Sequence, residues 1–477
     1  MHSETYSQFE QPSYDDWLQA VKKSVKNPDE LTRLVWQTEE GFQLNALYTK
    51  EMLEQPVETP PHPTERHVIQ RVFLNKPKAA RKQALEALNQ GAAELCIQAD
   101  AYPTDKEWDT FLEDIHLDWL PVHYRFGESS TAALWFLHEL FSRKGYVPEN
   151  LQGSLHLDPI SIAAAAGGFE HSLEEARKVY AATVSAGDSL LPQFHLVHAD
   201  STLYAECGAT ASDELAFALA GAVEYYHWLE EEGVSLANFP GKTSFHLGTG
   251  SDFFLQVAKF RALPILWKNV LDRWGLPWQA PALHATVSQY NKTLFDGYTN
   301  VLRASTECLA ALAGGAEKIT VLPWNYLWAE PDSASQRLAR NTALLLLEEG
   351  GVANVPDPGK GAPYIEAATE KMARSAWNLF LEIEDAGGLS AALKNGTIQQ
   401  RCGLAHQKRK EAFDSKTRIA VGVNKYPNSS ERLTGSLKKL VHPPYRKATF
   451  DFVPLSPVRL SENLENERLK RENQTNA

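Results

Sequence analysis

Two His-x-Asp pairs stand in the middle of the chain, His156 with Asp158 and His198 with Asp200. Each lies in a short β-like run, GSLHLDP from Gly153 and FHLVHAD from Phe194. On a strand, residues i and i+2 face the same way, so each pair offers an imidazole and a carboxylate to one side. With His123 and His246 on neighbouring runs, these groups have the right chemistry to ligate a divalent metal at a barrel mouth and to serve a metal-dependent hydrolase. The same imidazoles also fit as hydrogen-bonded filler of a polar barrel interior. His-x-His spacing is missing and no lysine is placed to bridge two metals, so filler is the expectation and no metal is assigned. Lys242 and Ser244 open the run from Thr243 and put a cation and a hydroxyl near a barrel end, although a surface lysine fits residue type as well. Gly248-Thr-Gly250 lacks the Gly-Lys context of a phosphate cradle, and the chain has no Gly-x-Ser-x-Gly elbow.

These groups need a scaffold, and the chain supplies a regular one. β-like runs occur at Glu94–Asp100, Pro121–Gly127, Gly153–Pro159, Phe194–Asp200, Thr243–Thr249, Ala282–Ser288, Lys318–Trp324 and Ala353–Pro358. Most are separated by enough residues for a crossover helix, which implies parallel pairing. Eight such units predict an α/β fold closed into a (β/α)8 TIM barrel. Between runs the helical signals are clear. Ser212 reads as an N-cap, Leu215, Leu219 and Val223 share a face, and Gly233 ends the helix. A second helix, Phe253–Trp267, carries Pro264, which predicts a bend or break. The flanks differ: residues 1–65 form an N-terminal arm ending in the Pro-rich linker Pro56–Pro63, 66–427 the barrel, and 428–477 a polar C-terminal tail with no core of its own.

Composition narrows the function class. The chain has 477 residues, 43% hydrophobic and 22% charged, as in an ordinary soluble globular protein. A net charge of −13 argues against nucleic acid as the main partner and against an anionic membrane surface. The four cysteines are scattered without a Cys-x-x-Cys pair, which predicts reduced, buried thiols. The first residues lack the features of a signal peptide, and no apolar run approaches the roughly 18 residues of a membrane span. A cytoplasmic location is expected.

The loop after Asp200 carries a further signal. Cys207-Gly-Ala-Thr210 and the helix from Glu214 to Tyr225 resemble the catalytic-barrel half of the methylmalonyl-CoA mutase family. Val257-Ala-Lys-Phe-Arg-Ala262, Asp296-Gly-Tyr-Thr-Asn-Val-Leu-Arg303, Val421-Gly-Val-Asn-Lys-Tyr426 and, near the N-terminus, Thr38-Glu-Glu-Gly41 extend the likeness in the family's order. It covers most of residues 30–427. The resemblance implies a barrel whose axis an acyl-CoA threads, and a radical isomerisation of methylmalonyl-CoA and succinyl-CoA on adenosylcobalamin. It also implies a role within that family, since some members are heterodimers of an active large subunit and a silent small one.

Departures from the family pattern favour the silent role. The Tyr-His pair that active members carry before Gly-Ala-Thr aligns with Thr202 and Leu203, and leucine can neither donate a hydrogen bond nor move a proton. An arginine of active members aligns with Lys242, which keeps charge but loses the bidentate fork. A neighbouring serine matches Ser244, and a glutamine falls at Thr286. Lys242 and Ser244 therefore read as remnants of substrate binding. The family's long substrate-covering segment corresponds here to the short stretch Pro56–His67. The cobalt-ligating Asp-x-His-x-x-Gly signature finds only Asp114-Ile-His-Leu-Asp-Trp119, with Trp in place of Gly, and no cobalamin-binding domain is expected. The expectation is a small, catalytically silent subunit beside a large catalytic one, with adenosylcobalamin bound by that partner. A subunit of a related acyl-CoA mutase, a chain retaining a CoA pocket as a sensor, and the hydrolase using His156, Asp158, His198 and Asp200 are the alternatives.

Overall fold

The computed structural model describes residues 12–25, 27, 29–53, 58–61, 64–126, 130–433, 437 and 451–475. Half of the Pro56–Pro63 linker and much of the tail before residue 451 lie outside these residues.

Eight strands form the barrel: β1 His67–Phe73, β2 Glu94–Ala99, β3 Val122–Phe126, β4 Gly153–Leu155, β5 Phe194–His195 and Val197–Asp200 interrupted at Leu196, β6 Thr243–Thr249, β7 Ala282–Val287, and β8 Lys318–Thr320. Each pairs in parallel with the next, and β8 returns to β1 through Lys318 opposite His67, which closes the sheet. Closure leaves no edge, and the right-handed crossovers place the helices outside. The (β/α)8 TIM barrel expected from the rhythm of the chain is the observed architecture.

The count of eight agrees but the members differ at both ends of the series. Ala353–Pro358 is a short 3-10 turn, Val352–Asn354, followed by Pro356 and Pro358, which have no N–H to give a ladder. The missing strand is β1, upstream of the expected first run. Its alternation is masked because one face mixes His67 and Arg71 with Ile69, while Gln70 interrupts Val68 and Val72 on the other. The run from Thr243 is therefore the sixth strand and that from Ala282 the seventh.

The helix after β5 spans Ala211–Glu231 and is capped by Thr210 rather than Ser212, through a capping box with Asp213. Most of its circumference is buried because it packs between the barrel and the outer helix Pro363–Asp385. The helix Phe253–Trp274 runs through Pro264 without a break. All four cysteines are free and buried. Among the described residues no helix is long and apolar enough to cross a membrane.

Described segments of both flanks are bonded to the barrel. In the arm, a helix Tyr14–Ser24 precedes an antiparallel hairpin, Val35–Gln37 with Gln43–Asn45. Within its turn, Glu40 accepts the backbone N–H groups of Ala211 at 3.0 Å and Ser212 at 2.8 Å. Residues 451–460 run along the rim of the barrel's C-terminal face. Leu455 N–H donates to Ala164 at 2.8 Å, Val458 to Glu206 at 2.9 Å and Leu460 to Tyr290 at 3.0 Å. The buried pair Arg459 and Glu465, 2.6 Å apart, then fastens the start of the helix Glu462–Thr475.

Candidate functional site in the barrel axis

Strand alternation and parallel register decide which side chains meet on the axis. Register sets Lys318 beside His67, Asp200 beside His246, His246 beside His284, and Thr286 beside Thr320. The result is an interior rich in imidazoles, where most barrels stack branched aliphatics.

Toward the N-terminal end, Glu94 is the hub. Its carboxylate takes His67, His123 at 2.5 Å, and Lys318 at 3.3 Å, and it is fully buried. Burial pushes that carboxyl up, but the hydrogen bonds from His123 and His67 and the nearby charges outweigh it and hold it well below the usual carboxylate range. His123 Nδ1 also bonds Ser154 Oγ at 2.7 Å. Burial lowers the affinity of His123 for a proton, whereas its hydrogen bond to Glu94 raises that of His67.

Farther along the axis, His156, His198, Asp200 and His246 converge. One ligand-type atom from each lies within 4.8 Å of all the others, and all four residues are buried. His198 Nδ1 bonds Ser244 Oγ at 2.6 Å, and His246 Nε2 bonds Thr286 Oγ1 at 2.7 Å. His156 lies over His198 with ring centroids 3.9 Å apart, and His246 stacks on His284 at 4.0 Å. Burial pushes His198 down to about 3 and takes His156 well below the ordinary histidine value, so both are neutral near pH 7. Burial raises Asp200, but His246 and Arg125 outweigh it and keep the carboxylate ionised. Arg125 NH1 stands 2.8 Å from Asp200 Oδ2.

The residues singled out in the sequence separate into those brought together and those kept apart. His156, His198 and Asp200 do meet, but Asp158 does not join them. Strand β4 ends at Leu155, so the i, i+2 rule lapses and Asp158 becomes the N-cap of the helix Pro159–Ala166. Its oxygens accept Ser161 N–H at 2.9 Å, Tyr225 O–H at 2.5 Å and Asp200 N–H at 2.6 Å, and burial pushes its carboxyl up to about 6. His246 takes the fourth place. His123 belongs to the Glu94 hub. Lys242 sits at the N-terminal end of β6, opposite the face where barrel enzymes work, and pairs with Asp188. Ser244 points inward and is the partner of His198. Leu203 lies on the short helix Thr202–Glu206 at the C-terminal face, half-buried against the core. Glu94, Lys318, Arg125 and Arg71 were not expected in the axis, because charged residues on a strand read as its solvated face.

The loop after Asp200 is held from several sides. Thr202 donates to Asp200 Oδ1 through its N–H at 3.0 Å and its hydroxyl at 2.5 Å. Arg409 NH1 donates to the Gly208 carbonyl at 2.9 Å while its Nε pairs with Glu39 of the arm.

A closed (β/α)8 barrel with a polar axis, and a glycine-containing loop at its C-terminal face before a deeply buried helix, has the architecture of a barrel enzyme. The family model of methylmalonyl-CoA mutase matches residues 97–447, and the chain belongs to that family. It is 29% identical to a methylmalonyl-CoA mutase small subunit of Porphyromonas gingivalis over 89% of this chain and 71% of that protein. To the small subunit of Streptomyces virginiae it is 33% identical, over 67% of this chain and 52% of that protein. To the large subunit of the same organism it is 27% identical, over 89% of this chain and 64% of that protein. The chain thus spans about half to seven-tenths of the length of these relatives.

Proposed function

We propose that the chain is the small, catalytically silent subunit of a heterodimeric, adenosylcobalamin-dependent methylmalonyl-CoA mutase of the cytoplasm, and that a large homologous subunit carries the isomerisation. The observation that carries this is the packing of the axis. In the family an acyl-CoA threads the barrel, yet here His156 lies on His198 and His246 on His284, with ring centroids 3.9 and 4.0 Å apart, at the middle of that path. None of these four residues is more than 7% exposed. At the mouth, the position of the catalytic histidine holds Leu203, which has no proton to give or take. Lys242 is engaged by Asp188 and Ser244 by His198, so the two candidate remnants have other partners.

The coenzyme finds a poor fit on this chain. Adenosylcobalamin would supply the radical chemistry, and the protein would supply a dry, shaped face for it. The rim of the C-terminal face instead carries residues 451–460, bonded to Ala164, Gly167, Glu206 and Tyr290. Binding of the coenzyme by the partner accords with that arrangement. A silent homologue stabilises an active one most simply through a pseudo-twofold pairing of related folds.

The test is direct. The purified chain, given adenosylcobalamin and methylmalonyl-CoA, is expected to form no succinyl-CoA, and to co-purify with a large subunit when the two are expressed together. Turnover by the lone chain would overturn the proposal.

A further inference from the structure

The geometry points to a binding site for one divalent transition-metal ion of the zinc class, built from His156, His198, Asp200 and His246 on strands β5 and β6 and the end of β4. The first support is a set of unsatisfied atoms. His156 Nδ1, His198 Nε2 and His246 Nδ1 are buried with no hydrogen-bond partner, and they face Asp200 Oδ2, whose one close partner is Arg125 NH1 at 2.8 Å. Native interiors pair nearly all such atoms, and each one left alone bears its full desolvation penalty. Three such nitrogens beside one carboxylate oxygen, with one ligand-type atom from each of the four residues within 4.8 Å of the rest, share a single remedy.

The second support lies in what the other atoms of these side chains do. A metal-binding histidine characteristically has its second ring nitrogen held by a hydrogen bond, which sets tautomer and ring angle. His198 has Nδ1 on Ser244 Oγ at 2.6 Å, and His246 has Nε2 on Thr286 Oγ1 at 2.7 Å. Asp200 has Oδ1 engaged by Thr202 N–H at 3.0 Å, leaving Oδ2 toward His246 Nδ1 at 3.4 Å. In each case the anchored atom leaves the other one turned inward. Hydrogen-bonded filler alone would satisfy both ends of these groups.

The donor set limits the ion and its role. Three imidazole nitrogens and one carboxylate oxygen suit zinc and its borderline neighbours, and are a poor match for calcium or magnesium. Four protein ligands complete a tetrahedron and leave no open position for water, so the site is structural and not hydrolytic. A metal there would cross-link three adjacent segments of the barrel wall, stiffening the axis. Arg125, 2.8 Å from Asp200 Oδ2, is a competing cation, and its 41% exposed side chain has solvent to withdraw into.

The experiment uses the untagged full chain, stripped with a chelator, desalted and titrated with Zn²⁺, with Co²⁺ as the spectroscopic probe. The expected result is one equivalent of zinc retained through gel filtration, a raised Tm, and a visible Co²⁺ spectrum of tetrahedral type. His198→Gln combined with His246→Gln should abolish that equivalent with the circular dichroism unchanged. Should that variant not fold, Asp200→Asn is expected to weaken Zn²⁺ binding by about tenfold or more. His284→Gln, which alters a ring stacked on His246 but outside the cluster, should retain the equivalent. Absence of stoichiometric uptake at micromolar Zn²⁺, or equal uptake by parent and folded ligand variants, would overturn the site.

Discussion

Lys259 Nζ stands 2.6 Å from Glu214 Oε2, and both side chains are sealed from solvent at the C-terminal end of β6. The pair links the helix after β5 to the helix after β6, and Gly248 completes it by donating its N–H to Glu214 Oε1 at 2.5 Å. Burial pushes the Glu214 carboxyl up, so the pair is held together against a large desolvation cost. Lys259→Met should destabilise the chain by about 3–5 kcal/mol, because it leaves Glu214 buried without its cation. Adding Glu214→Gln should recover a good part of that loss. Urea unfolding of both variants measures it, and an equal or larger loss in the double variant would contradict the account.

Glu40 binds the arm to the barrel through the first turn of the helix Ala211–Glu231. Its carboxylate meets two free N–H groups at the positive helix end, which is a favourable position for an anion. Glu40→Ala should cost about 1–2 kcal/mol. It should also free the hairpin, so that limited proteolysis near residues 35–50 becomes faster while the barrel core stays protected. Unchanged cleavage in the arm would count against this anchoring role.

The barrel was legible from its strand rhythm because inward and outward faces alternate over most of the runs. His67–Phe73 escaped because neither of its faces is uniformly apolar. Three of the four members of the axial cluster were legible too: His198 and Asp200 share a face by i, i+2 spacing, and His156 stands at the end of the neighbouring run. His246 could be placed only as a neighbour, since its meeting with Asp200 depends on the register between β5 and β6. Asp158 misled because the strand ends three residues before it, and Lys242 because it lies at the end of β6 remote from the mouth. Pairwise spacing carries no information about where a strand stops or which end of a barrel a loop occupies.

Glu206 gives the chain a pH-dependent stability. Burial pushes its carboxyl from 4.5 up to about 7, only partly offset by the Gln289 N–H bonded to it. A raised carboxyl binds its proton more tightly in the folded state. Its contribution is therefore intact below the unfolded value, declines as pH rises from about 4.5 to 7, and is fully lost above that. The shift corresponds to about 3 kcal/mol at most. Glu206→Gln keeps the acceptor oxygen and removes the titration, so it should be more stable than the parent at pH 8 and similar to it near pH 4.5. Urea midpoints at the two pH values test this, and a gain of equal size at both would rule the mechanism out.

Leu203 offers the sharpest test of silence. It is half-buried against the core on the helix Thr202–Glu206, directly after the axial carboxylate Asp200. Under the proposed alignment Leu203→His puts back the imidazole expected of active members, at a cost of about 1–2 kcal/mol from lost apolar burial and a half-buried imidazole. One proton-transfer group does not reopen the axis, where His156 on His198 and His246 on His284 remain in contact. Nor does it move residues 451–460 from the rim. The lone Leu203→His chain should therefore form no succinyl-CoA with added adenosylcobalamin. Paired with a large subunit, it should leave kcat unchanged, because the proposed division of labour puts the reacting atoms in the partner's barrel. Activity in the lone variant would mean that a single side chain, and not the packing of the axis, keeps this barrel from catalysis.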